Sequence, residues 1–87
     1  MMKIICCFSL LDLHQKVYLF NSEGEPKCVA IGDVNNLNEV IVAMCNKYKC
    51  DTVHLFGNEI YLKKLSEDIK ICFAKKYERN NIEILIN

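Results

Sequence analysis

From Lys3 to Leu11 the chain reads Lys-Ile-Ile-Cys-Cys-Phe-Ser-Leu-Leu, and seven of these nine positions are apolar with no period-2 break. A strand with one wet face alternates, whereas a strand covered on both faces does not. The run therefore predicts a central strand over Met2 to Leu11. Asp12-Leu13-His14-Gln15 reads as a short polar-leaning connection. Lys16-Val17-Tyr18-Leu19-Phe20 then reads as a second strand, being rich in β-branched and aromatic residues. Asn21-Ser22-Glu23-Gly24-Glu25-Pro26 is the clearest turn, and Lys27 to Gly32 follows as a third strand. Three strands joined by two short connections make an antiparallel meander.

The period then lengthens. Apolar residues at Leu37, Val40, Ile41, Met44, Cys45 and Tyr48 form the stripe of an amphipathic helix. Asn36 stands in the cap position with Glu39 three residues later, the pattern of a capping box. Thr52 to Phe56 predicts a short fourth strand that ends at Gly57. Asn58-Glu59 opens a second helix with its stripe at Leu62, Leu65, Ile69, Cys72 and Phe73, widened by Ile60, Ile71 and Ala74. Lys75, Lys76 and Arg79 gather in its last turn, where cations suit the helix dipole. Ile82 to Ile86 is the last strand.

The order β-β-β-α-β-α-β implies a single α/β domain over residues 1–87. Each strand–helix–strand step must be a right-handed parallel crossover. With the doubly apolar first strand in the middle, the expected architecture is one mixed five-stranded sheet. Its order is 3-2-1-4-5, strand 2 is antiparallel to the rest, and both helices lie on one face. Both sheet faces look apolar, since Val17 and Leu19 oppose Tyr18 and Phe20. An apolar face of several hundred Å² is rarely left wet. The helix-free face is therefore expected to meet another chain, most simply a second copy as in a homodimer.

This succession of elements resembles the core of the ribonuclease H-like fold, shared by nucleases, resolvases, transposases and actin-like ATPases. The resemblance implies metal-binding carboxylates within the first strand, on or before the first helix, and at the end of the fourth strand. Here the body of the first strand is Ile5-Cys6-Cys7-Phe8, with Asp12 beyond it, and the fourth strand ends Phe56-Gly57-Asn58. Asp12, Glu39 and Glu59 are the nearest substitutes, and the catalytic pattern is absent. The actin-like branch's glycine-rich phosphate loops are absent too, since the chain has 3 glycines, no two of them close.

Charge narrows the function classes. Lys and Arg total 11 and Asp and Glu total 11, so the net charge is zero. A nucleic-acid binder usually carries a basic excess, so nucleic acid is disfavoured as a partner. Low net charge also favours self-association. The apolar runs are too short for a membrane span. The 6 cysteines sit mostly within strand and helix patterns, and no signal peptide is expected ahead of them. Reduced thiols in a cytoplasmic compartment are expected. Ten lysines against one arginine, with ten isoleucines and nine asparagines, is an AT-rich coding bias, suited to an AT-rich bacterium, its phage or a mobile element.

Candidate chemistry falls in three places. Gly57-Asn58-Glu59 lies where a strand meets a helix start, beside Ser9 to Asp12 at the end of the first strand. Ligands favour such a crevice, and Ser9, Asp12, Gly57, Asn58 and Glu59 are the ligand-binding candidates. Ordinary turn and capping roles compete with that reading. Cys45-x4-Cys50-x3-His54 has a zinc-like flavour, but structural zinc prefers four ligands, only three are local here, and Cys45 lies on the core stripe. No metal site, catalytic residue or cofactor is therefore assigned. The third place is the helix-free sheet face, with Ile5, Cys7, Tyr18 and Phe20 as interface candidates. The expected function is a non-catalytic accessory protein, phage- or mobile-element-encoded, that binds a protein partner or itself. The alternative is a small-ligand or nucleotide-binding domain, a degenerate ribonuclease H-like unit using the crevice.

Overall fold

The computed structural model describes residues 2–7, 14–21, 25–33, 35–78 and 81–87; for 2–7, 14, 20 and 21 it describes the backbone alone. Strands β1 (Met2–Cys7), β2 (His14–Asn21) and β3 (Lys27–Asp33) come first. Helix α1 (Leu37–Tyr48), strand β4 (Thr52–Phe56), helix α2 (Glu59–Tyr77) and strand β5 (Glu83–Ile86) follow.

The strands are hydrogen-bonded in the order β3-β2-β1-β4-β5. β2 runs antiparallel to β1 and β3, whereas β4 runs parallel to β1 and β5. The expectation of a single five-stranded sheet is corrected by how its strands group. The strands group as two small two-stranded units, antiparallel β2–β3 and parallel β4–β5. The 6 described residues of β1 lie between them, hydrogen-bonded to β2 on one side and β4 on the other. The rest of the opening apolar run, residues 8–11, lies outside the described residues, as does the connection at 12 and 13.

The β2–β3 unit departs from its sequence pattern in two ways. His14 and Gln15, expected in a turn, belong to β2, where they pair with Asp33 and Gly32. Gln15 is buried despite its polarity. The register also slips between Val17 and Tyr18: Val17 faces Ala30, Tyr18 faces Cys28, and Val29 is opposite neither. This is a bulge, which adds a residue to one strand and bends it.

Both helices bury their stripes in one core with Val17, Val53 and Leu55 of the strands. α1 lies over β1 and β3, α2 over β5, and the two helices pack on each other. The fully buried set includes Leu37, Ile41, Val42, Leu62, Ile69 and Phe73. Val42 sits off the expected stripe yet is buried, so α1 is rolled relative to the simple heptad reading. Ile60 and Ile71, expected to widen the apolar surface of α2, are exposed instead. The molecule measures 31 × 30 × 20 Å, and the short axis matches one helix layer on one sheet layer.

Helix ends show how local chemistry sets the boundaries. Asn58 caps α2, its Oδ1 accepting from the Tyr61 amide at 3.1 Å. Asn36 does not cap α1 through its side chain; its Oδ1 accepts from the Asp33 amide at 2.8 Å. The capping box with Glu39 is thus not formed, because the tight Asp33–Asn36 turn takes the asparagine oxygen first. Both helices end on a left-handed residue that is not glycine, Lys49 at φ 56° and Glu78 at φ 53°. Lys63 and Glu59 make an exposed i,i+4 ion pair at 3.3 Å.

Candidate functional site

Alternation along the strands separates two faces. Val17, Val53, Leu55, Ile84 and Ile86 turn toward the helices and join the core. Lys16, Tyr18, Thr52, His54, Phe56, Glu83 and Leu85 take the opposite parity. Among the described residues, no helix packs on that second, open face.

Backbone register orders this face into rows. The middle row runs Cys28–Tyr18–Ile5–His54–Leu85 across all five strands, without a charged residue. On one side of it lies Ile31–Lys16–Cys7–Phe56. On the other lies Phe20–Lys3–Thr52–Glu83. The interface candidates thus occupy register positions in all three rows, with Ile5 directly opposite Tyr18. The side chains of Ile5, Cys7 and Phe20 are outside the described set.

Two residues of this face escaped the sequence reading. Ile31 is 61% exposed and Leu85 is 40% exposed. Ile31 was hidden by the bulge, because a one-residue slip changes which side chains share a face. Leu85 sits in the uninterrupted run Ile84-Leu85-Ile86, which has no alternation to show which member faces out.

His54 stands in the row between Ile5 and Leu85, its ring 4.3 Å from that of Phe56 and tilted by 31°. Its Nε2 is buried and, among the described residues, has no hydrogen-bond partner.

The other candidates are pulled apart or already engaged. Cys45 and Cys50 are buried in the helix-side core, where the Cys50 amide donates to the Cys45 carbonyl at 2.8 Å. His54 has the opposite parity, so the three zinc-like positions do not converge. Among the described residues, no group of three or more His, Cys, Asp or Glu could hold a metal ion. At the crevice, Gly57 has φ 142°, a conformation glycine adopts freely. Asn58 serves α2 as its cap, and Glu59 pairs with Lys63. Ser9 and Asp12 lie outside the described residues. Two shallow grooves of about 270 and 250 Å³ run between the start of α1 and the side of α2. Glu39, Asp68, Lys64 and Lys75 line them with mixed charge, so neither selects one sign of ligand.

In fold, the chain resembles RuvC. A Thermus thermophilus RuvC structure superposes with a TM-score of 0.65 over 100% of this chain, at 5% sequence identity. The likeness at that identity is one of fold alone. The chain spans 63% of the length of that protein. No protein-family model matches the chain, and no curated protein matches it in sequence. Among the described residues, no helix is long and apolar enough to cross a membrane.

Proposed function

We propose that this chain is a non-catalytic protein-binding module whose working surface is the open face of the sheet. The supporting observation is the middle row, Cys28–Tyr18–Ile5–His54–Leu85, uncharged across five strands and flanked by rows that carry charge. An apolar centre inside a polar rim is the usual anatomy of a protein interface. Tyr18 and Phe56 supply aromatic anchors of the kind that dominate interface energetics. Exposed Ile31 and Leu85 extend the apolar surface to both edge strands.

The test is comparative capture. Tagged wild-type chain is used as bait beside Ile31→Lys, Leu85→Lys and Ile60→Lys. Ile60 is 83% exposed on α2, away from the sheet, and controls for added charge. A bound protein, including untagged copies of the chain, is expected with wild type and Ile60→Lys and lost with the two sheet-face variants. Loss with Ile60→Lys alone would move the working surface to the helices and end this reading.

A further inference from the structure

We infer that the occupant of the open face is the same face of a second copy, packed about a two-fold axis; this inference rests on the binding reading above. Three observations support self-association over an unlike partner.

The first is charge. Among the open-face positions whose side chains are described, the exposed charged residues are Lys16 and Glu83; Lys3 holds a register position in the Glu83 row. Lys16 and Glu83 lie in the two flanking rows and in opposite halves of the sheet, Lys16 on β2 and Glu83 on β5. Asp33, half-buried at the end of β3, is engaged with the Asn35 amide at 3.1 Å. In a two-fold interface, residue i meets j while j meets i. A diagonal axis through the middle row brings Lys16 of each copy toward Glu83 of the other, twice over. Lys16 and Glu83 are therefore complementary to each other across such an axis. With 11 positive and 11 negative residues, the chain also has no net repulsion between copies.

The second is area. Five strands at about 4.8 Å spacing and three rows give roughly 24 by 17 Å, or about 400 Å² in projection. Side-chain relief raises this toward the roughly 600–800 Å² per partner of a modest specific interface. A single copy of the face on each side is enough.

The third concerns the edges, the competing route to a dimer. β3 carries the bulge and begins directly after Pro26, and β5 has 4 residues opening on Glu83. Bulges, brevity, proline and charge are the devices that block edge-to-edge pairing. Copies are left to meet face to face.

Sedimentation velocity of the full chain across a micromolar series tests this. The expected result is a species of twice 10.1 kDa that dissociates on dilution. Ile31→Lys and Leu85→Lys should each weaken the dimer by roughly tenfold or more. Lys16→Glu and Glu83→Lys should each weaken it a few-fold, and the double exchange K16E/E83K should restore it. Circular dichroism melts under dissociating conditions confirm that each variant folds. A monomer throughout the series overturns this inference, and the capture experiment then decides whether an unlike partner uses the face. A dimer indifferent to Ile31→Lys and Leu85→Lys overturns it as well, since its interface lies elsewhere. Failure of the double exchange to restore the dimer overturns the two-fold charge pairing.

Discussion

Gly32 offers a close test of how α1 is seated on the sheet. It is buried near the end of β3, and a Cβ built there would meet Leu37 Cδ1 at 3.0 Å and Val40 at 3.5 Å. Carbon atoms are at ease about 3.5–4.0 Å apart, so an added methyl intrudes on Leu37 by at least about half an ångström. Leu37 is fully buried at the first turn of α1, so its Cδ1 must shift within the core to admit the methyl. Overpacking of this kind costs about 1–3 kcal/mol. Gly→Ala also narrows the unfolded ensemble, which returns about 0.4–1 kcal/mol. The net for Gly32→Ala is therefore a loss of roughly 0.5–2 kcal/mol, close to 4–8 °C in Tm per kcal/mol for a domain of this size. Urea unfolding followed by circular dichroism measures it, with a lower midpoint at an unchanged slope. Leu37→Val removes the offending Cδ1 and alone leaves a small cavity. Combined with Gly32→Ala, the two losses should sum to less than their separate values. A neutral or stabilised Gly32→Ala, or strict additivity with Leu37→Val, would refute the close helix–strand approach.

Three further outcomes are expected. Asn58→Ala removes the cap of α2 and should cost about 1 kcal/mol in the same urea assay; an unchanged midpoint would mean that the Tyr61 amide finds another acceptor. Glu78→Gly should stabilise the chain by about 0.5–1 kcal/mol, because the residue already holds a left-handed conformation that glycine adopts without its Cβ penalty; a lower Tm would show that the Glu78 side chain is needed. A panel of nucleotides and divalent metals should leave the melting temperature unchanged, since Asn58 and Glu59 are engaged within α2. A reproducible rise with any of them would favour the crevice at Gly57 as a ligand site.

Helices were the most legible part of the sequence because their signal is long. Leu62, Leu65, Ile69, Cys72 and Phe73 recur at helical spacing over three turns, and all five are buried. Asn58 likewise caps where a cap residue before a periodic run should. Strand assignments were weaker, and the errors cluster in the β2–β3 unit. His14 and Gln15 look like turn residues, but a strand's length is set by its partner, and β3 offers Asp33 and Gly32 to pair with them. Asn36 shows the same limit at short range. Its side chain had two backbone donors within reach, the helix start and the Asp33 amide, and the turn geometry chose the second.

The site was less legible than the fold, for a related reason. Asn58-Glu59 after a strand has the same composition whether it caps a helix or holds an anion, and only the acceptor of each hydrogen bond separates the two. The open face is harder still, because it is assembled from single residues of five separated segments. Tyr18, His54 and Leu85 fall into one row only after four registers are set, and Cys28 joins them only because of the bulge. Without that slip, Cys28 and Ile31, three positions apart, would lie on opposite faces. With it, their register partners Tyr18 and Lys16 share the open face, and β3 contributes two positions to it. The bulge thus does two things at once: it spoils the edge of β3 for pairing with another strand and widens the apolar surface available to a facing chain. Deleting Val29 should separate the two effects: Cys28 stays opposite Tyr18 and Ile31 opposite Lys16, so the open face is kept, while the β3 edge becomes regular and able to recruit strands. Appearance of thioflavin-positive aggregates is the expected result, and a deletion variant that stays free of them at the same concentration would show that the bulge does not protect the edge.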